Sequence, residues 1–294
     1  MALLLADAQR LADDQFVAGL VETMITESQV LQLLPFVEVV GSALVYNQEA
    51  STGGANWYAV ADNWTEGAMT VTQKTASLKI LGGDVDVDLF LQQTYARPND
   101  MRALAVAEKA KAVAYGFNDA FFNGTGAANQ PSGIFSLVTA GQTRSLGTNG
   151  ASPTLDDFDA LIDMVKPGKP DALFMSKRSR RGLKKLMRAA GNQIEYDLNK
   201  FGQRIAYYDG IPIVADENIS DAMTQGASTD CSKIAAVKFG FNTGVCGLMN
   251  GMVQAQDVGP LETKDAWRTR IKWYVGLCNF RDLSLAVMTG VRPN

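Results

Sequence analysis

The chain contains no histidine. Histidine is the commonest general base and the commonest ligand for transition metals, so Ser-His-Asp and Cys-His nucleophiles and histidine-bearing zinc sites are excluded. Carboxylate, lysine or tyrosine chemistry is all that an enzyme could use. Cysteine is scarce as well. Cys231, Cys246 and Cys278 form no CxxC pair, and two of them stand beside glycine and apolar residues, which reads as small reduced core positions. No apolar run approaches the roughly 18–20 residues that cross a bilayer, so no membrane partner is expected. Met1–Arg10 has no basic stretch ahead of Leu3-Leu4-Leu5, so it is not read as a secretion signal, and the expected location is the cytosol. Excess positive charge is missing too: 27 Lys and Arg stand against 31 Asp and Glu, a net charge of −4. That argues against a protein whose main task is gripping nucleic acid through a basic surface.

What is present is enough for a substantial core: 294 residues, 47% hydrophobic and 20% charged, a length that suits one large or two modest domains. Residues 4–27 read as an amphipathic helix, with Leu4, Ala8, Leu11, Phe16, Leu20 and Met24 spaced near three and four. Its apolar stripe must cover a surface, either of its own domain or of a neighbour. Leu44–Leu81 reads as a long hairpin: a strand opening at Leu44-Val45-Tyr46, a polar glycine-bearing middle with Trp57, Tyr58 and Trp64, and a second strand from Thr70 to Leu81. The two tryptophans lack local apolar neighbours. They either anchor a contact with another surface or fold back on their own domain. Asn99–Phe122 is the best helix, capped by Asn99 or Asp100 and rich in alanine, about 35 Å long at 1.5 Å per residue. From Pro131 to Asn250 strand signals (GIFSLV, DALFM, IPIVA, KIAAVKFG) alternate with helices near Thr154–Lys166 and at Lys177–Ala190, which makes the class α+β or α/β. Trp267–Phe280 and Leu283–Val291 read as closing strands.

Several stretches invite a chemical reading and carry a plainer one. GTGAAN at 124–129 starts like a dinucleotide fingerprint, but Asn129 replaces the third glycine and the stretch follows a helix instead of a strand. Asn123-Gly124 and Pro131 suffice to stop the helix and turn the chain. Asp84, Asp86 and Asp88 put three carboxylates on one strand face without the glycine and glutamate of a calcium loop, so they are read as meeting solvent or a neighbour's basic residues. Tyr207, Tyr208 and Asp209 have no nucleophile motif or base beside them, so no catalytic residue, cofactor or metal is expected. KRSRRGLKKLMR (177–188) holds seven basic residues, with Lys177, Arg181, Lys184 and Arg188 on one face. The preceding helix carries Asp156, Asp157, Asp159 and Asp163. Opposite charge on two helices of one domain fits either head-to-tail contact between identical subunits, which closes into rings, or a solvated surface.

Taken in order, these pieces resemble the major capsid protein family of tailed bacteriophages. The stretch FFNGTGAANQPSGIF is similar to the family's passage from a long spine helix through an Asn-Gly turn into the axial domain. DALFMSKRSRRGLKKLMRAAG looks like its strand-then-helix unit, YDGIPIVADENI like its Gly-x-Pro-Val strand, and KIAAVKFGFNTG with WRTRIKWYVGLCNFRDLSLAVMTGV like its closing segment. The resemblance implies an α+β fold with an N-terminal arm (1–41), an extended β-hairpin loop (42–82), a peripheral domain with the spine helix (83–130 and 250–276) and an α/β axial domain (131–249 and 277–294). It implies homo-pentamers and homo-hexamers that assemble in the host cytoplasm into an icosahedral virion shell. Double-stranded DNA would be held inside by loose non-specific contact, and scaffolding, portal and decoration proteins would be separate chains. Subunit contacts are expected at Leu11, Phe16 and Leu20 of the arm, Trp57 and Trp64 of the hairpin, and Asp156, Asp157, Arg181, Lys184 and Arg188 of the charged helices. The arm reaches the hairpin by about Leu44, so no cleaved scaffolding segment is expected, and no Lys–Asn cross-link is expected at Lys74 or Lys79. An encapsulin-like shell around a cargo enzyme shares this fold and is the first alternative, and a carboxylate-dependent cytosolic enzyme the second.

Overall fold

The computed structural model describes residues 29–51, 53–90, 101–127, 129–191, 195–198 and 204–293. The arm helix expected over 4–27 and the expected caps Asn99 and Asp100 lie outside them. The described chain opens with a short helix α1 (Gln29–Leu33) and strand β1 (Phe36–Glu38), then runs through β2 (Ala43–Ser51), β3 (Thr70–Ser77) and β4 (Lys79–Asp88) into the long helix α2 (Met101–Asn123). A second set follows: α3 (Ile134–Leu137), β5 (Thr143–Ser145), α4 (Leu155–Asp163), β6 (Ala172–Met175), α5 (Lys177–Ala189), β7 (Glu195–Leu198), β8 (Arg204–Tyr208), β9 (Ile211–Ala215), β10 (Met223–Gln225) and β11 (Ser228–Val237). The chain then returns through β12 (Val245–Met249), β13 (Gln254–Pro260) and the fourteen-residue β14 (Ala266–Asn279) to end in β15 (Leu285–Val291).

Two sheets organise the molecule. In the first, β14 is the central strand, flanked by β12 and β13 on one side and by β4 on the other, with β1 at the edge. Helix α2 lies on this sheet because Val106, Ala110, Val113, Ala114, Phe117 and Phe121 recur at spacings of three and four and form one buried stripe. Phe117 packs at 5.0 Å from the Trp273 ring of β14 and 5.8 Å from Phe36 of β1. The end of α2 reaches the second sheet, where Phe121 and Phe122 meet Phe174 of β6 at 5.7 and 5.5 Å. One apolar core therefore runs under both sheets.

The second sheet has the order β5-β15-β11-β6-β9-β8-β7, with β10 beside β11. All four residues of β6 are buried, as expected of a strand covered on both faces. Phe174 points into the shared core; Leu173 and Met175 point into a second core under α4 and α5, with Phe158, Leu161 and Leu183. β6 and β9 pair in parallel, with α5 in the connection between them.

Two expectations change. GIFSLV, read as a strand, forms the single turn α3, in which Ser136 and Leu137 donate to Gly133 O and Ile134 is buried. A four-residue apolar run has no period that separates strand from helix. A Cβ on Gly133 would lie 2.7 Å from both Ala120 O and Gly124 N, so the chain turns tightly against the end of α2. The second hairpin strand, expected to run unbroken to Leu81, is divided: β3 ends at Ser77 and pairs with β2, whereas β4 begins at Lys79 and pairs with β14.

Candidate assembly surfaces

The hairpin is built from its root outward. β2 and β3 pair from Ala43 opposite Ser77 to Ser51 opposite Thr70. Beyond the ladder, 53–69 stays closed through side chains. Asn56 Nδ2 donates to Thr65 Oγ1 at 2.9 Å, Thr65 N donates to the Tyr58 hydroxyl at 3.0 Å, and the Tyr58 and Trp64 rings stack at 4.4 Å. The two arms approach so closely that a Cβ on Gly67 would sit 2.8 Å from the Gly54 backbone, so glycine is required there. At roughly 3.3 Å per residue the paired strand Ala43–Ser51 alone spans about 26 Å. The tip is apolar and uncovered: Trp57 is 103% exposed, Val60 101% and Trp64 83%. Of the two expectations for the tryptophans, the described chain does not show them folding back on its own domain.

At the root the hairpin is tied to the body by few groups. Leu44, Tyr46, Ala76 and Leu78 pack on a small core of Val39, Cys246, Leu248, Cys278 and Phe280. The Tyr46 hydroxyl donates to Asn279 O at 2.9 Å, its ring meets Phe280 edge-on at 5.0 Å, and Lys74 Nζ reaches Asp282 Oδ1 at 2.7 Å. The Tyr46–Asn279 and Lys74–Asp282 bonds join positions more than 200 apart along the chain, so the sequence does not mark them as a tie.

The acidic strand face finds its partners within the chain. Arg270 Nε and Nη2 donate to Asp84 at 2.7 and 2.9 Å, and Arg268 does the same to Asp86 at 2.6 and 2.7 Å, directly across the β4–β14 register. The guanidinium groups hold both carboxyls below their ordinary range. At this exposure such pairs contribute little to stability.

The charged helices sit side by side on the second sheet. Thr154 caps α4, and its hydroxyl accepts from Asp157 N while the Asp157 carboxylate accepts from Thr154 N, a reciprocal cap. Arg144 Nη2 adds a bond to Asp157 at 2.6 Å. Partial burial works to raise the Asp157 carboxyl, yet Arg144 and the cap outweigh it and leave it below the usual value. Asp157 is thus engaged inside its own subunit, whereas Asp156 and Asp163 are exposed and outside every described ion pair. On α5, Ser176 is the cap, Lys177 pairs with Glu217, Arg178 with Asp221 at 3.3 Å, and Lys184 lies 5.1 Å over the Tyr196 ring. Arg181, Lys185 and Arg188 are exposed and have no carboxylate partner among the described residues. Leu11, Phe16 and Leu20 lie outside the described residues.

Tyr208, suspected of catalysis and set aside, donates its hydroxyl to Asp159 Oδ1 at 2.6 Å, and burial and then that bond push the phenol up, away from proton-transfer range. Asp209 pairs with Lys169 at 2.6 Å. The cluster is a structural seam between α4 and β8.

Residues 9–266 match the Phage capsid family, and the chain belongs to that family. A capsid component is the role this family defines. The fold agrees. A chain of the holo-SrpI encapsulin complex from Synechococcus elongatus PCC 7942 is similar at a TM-score of 0.74 and 19% identity, covering 91% of this chain and 89% of that one. The capsid of a native GTA particle is similar at 0.67 and 15%, covering 92% and 90%. The capsid asymmetric unit of cyanophage A-1(L) is similar at 0.68 and 12%, covering 90% and 93%. No curated protein matches the chain by sequence.

Proposed function

We propose that this chain is the major capsid protein of a tailed phage. It assembles in the host cytoplasm through homo-pentamers and homo-hexamers into an icosahedral virion shell around double-stranded DNA. The observation that carries the reading is the hairpin: a long two-stranded arm that ends in exposed Trp57, Val60 and Trp64 and has no surface of its own to cover. An isolated hairpin of this kind is marginal in water, and a neighbouring subunit is the natural cover for it. The uncompensated Arg181 and Arg188, with Lys184 beside them, face outward as Asp156 does, which supports head-to-tail contact around a ring. Asp157 supports that contact by holding the start of α4 in place.

The proposed division assigns 1–41 to an arm whose Leu11, Phe16 and Leu20 contact a neighbour, 42–82 to the extended loop, 83–130 with 250–276 to a peripheral domain, and 131–249 with 277–294 to an axial domain. The two sheets support two such bodies, with β14 leading on into β15 of the second, although β12 (245–249) pairs in the first sheet with β14. Many modest contacts repeated around a closed shell give large collective stability. A net charge of −4 suits loose, non-specific contact with packaged DNA. Scaffolding, portal and decoration proteins would be separate partners. The test is electron microscopy with sedimentation velocity on the purified chain. Closed particles or free rings of five and six support the reading; a compact discrete dimer or tetramer, unchanged when scaffolding is co-expressed, counts against it.

A second reading, an encapsulin-like compartment around a cargo protein, is favoured by the TM-score of 0.74 to an encapsulin. Protein cargo without nucleic acid in native particles would select it.

A further inference from the structure

Two of the three cysteines are neighbours in space. Cys246 of β12 and Cys278 of β14 are direct partners in the antiparallel register. Both residues belong to the small core beneath the hairpin root. Directly opposed residues of an antiparallel pair share one face of the sheet, with Cβ atoms about 4.5–5.5 Å apart. Tyr46 packs against the same core. Cys231 is buried apart from them, on β11 of the second sheet, and serves as an internal control.

Both residues are buried, and they differ in what lies beside them. A cavity of about 250 Å³ opens beside the hairpin root, lined by Tyr46, Lys74, Ser132, Leu277, Cys278 and Asn279 among others; Cys246 is not part of its wall. Hydrogen peroxide, roughly two waters in size at about 30 Å³ each, fits such a space. A bulky tripeptide disulfide such as oxidised glutathione does not.

We propose that Cys278 and Cys246 form a peroxide-reactive pair that closes to a disulfide beneath the hairpin root. The Cys278 sulfur attacks one peroxide oxygen, the O–O bond breaks, and hydroxide leaves and takes up the thiol proton as water; Cys278 becomes a sulfenic acid. The Cys246 sulfur then attacks the Cys278 sulfur, the S–O bond breaks, and the hydroxyl leaves with the Cys246 proton as a second water. Two thiols are oxidised by two electrons in all, and one peroxide is reduced to two waters. The assignment of first attacker follows the cavity, and the local charges agree with it. The neighbouring Cys246 thiol and nearby Lys74 favour a thiolate at Cys278 over the opposition of burial, whereas the Cys278 neighbour and burial push Cys246 up. In a reducing cytoplasm the pair stays open; outside the cell it becomes a staple between β12 and β14. The inference does not depend on what the shell encloses.

The experiment treats the full chain with dilute hydrogen peroxide, then denatures it, blocks free thiols with N-ethylmaleimide and weighs it intact. Untreated protein takes three labels. After peroxide the expected result is one label, on Cys231, with a non-reduced peptide map joining Cys246 to Cys278 and full return to three labels after dithiothreitol. Oxidised glutathione at equal concentration should be at least tenfold slower. Cys246→Ser should stop at a dimedone-trappable sulfenic acid on Cys278. The stapled protein should melt roughly 5–10 °C higher, because a closed loop restricts the unfolded chain. Three labels after peroxide, a bridge to Cys231, or an equal rate with oxidised glutathione would overturn the proposal.

Discussion

Replacing both Trp57 and Trp64 by alanine separates an assembly surface from a folding core. A tryptophan fully covered at a contact loses about 150–250 Å² to its partner, worth some 4–6 kcal/mol at about 25 cal/mol per Å². Ordering of the tip and incomplete burial take back part of this, so a loss of about 2–4 kcal/mol per tip is expected. At about 1.4 kcal/mol per decade, the concentration needed to assemble should rise roughly 30- to 700-fold. Among the described residues both rings are exposed, and Trp64 stacks on Tyr58 within the tip. Removing that stack costs about 0.5–1.5 kcal/mol of local order and leaves the two main cores untouched. The assay is sedimentation velocity across a concentration series, paired with melting of the unassembled subunit. Assembly at the wild-type concentration, or a melting temperature that falls in step with assembly, would refute the reasoning.

Arg181→Glu with Lys184→Glu should leave the subunit within about 1 kcal/mol of wild type by thermal melts, since Arg181 has no described carboxylate partner and Lys184 loses only its place over Tyr196; ring formation, counted by microscopy, should collapse. Thr154→Ala removes the cap of α4 and should cost about 1 kcal/mol. The Asp157 carboxyl is held low in the folded state, so its stabilisation is present above the unfolded value near 3.9 and is lost as pH falls through the lower folded value. Asp157→Asn should therefore flatten that part of the acid melting curve, and an unchanged acid limb counts against the Arg144 pairing. Phe117→Ala, at a fully buried site between Phe36 and Trp273, should cost about 3–5 kcal/mol in denaturant titration.

Elements whose signals are local could be read from the residues. The IPIVA strand, the alanine-rich helix α2, the helices α4 and α5 and the hairpin all appear close to where they were expected. Features set by pairing across the chain could not. Asp84 and Asp86 showed a one-sided acidic face, but the arginines that meet them sit more than 180 positions further on and belong to the same molecule. The sequence shows the charge of Asp157 without showing Arg144 and Thr154, which hold it inside its own subunit. Tyr58 was visible as an aromatic residue, yet its role as the platform for Trp64 depends on a turn geometry that no spacing encodes. GIFSLV failed because four apolar residues carry no period. The zero count of histidine narrowed the function classes most, and the order of weak motifs along the chain named the family.

The length and placement of β14 have a mechanical consequence. β14 meets β4 in ten consecutive register pairs, and β4 continues, past Leu78, from the hairpin strand β3. Ladder hydrogen bonds lie perpendicular to the strands, so tension drawn along β4 loads those bonds in shear, all at once, instead of opening them one after another from an end. At the end of β14 nearest the hairpin root the chain passes through the short turn at Asp282–Ser284 into β15, which is gripped between β5 and β11. A tug on the hairpin from a neighbour is thereby resisted by the whole β4–β14 ladder in shear, with the start of β15 in the second sheet braced close to the point of pull.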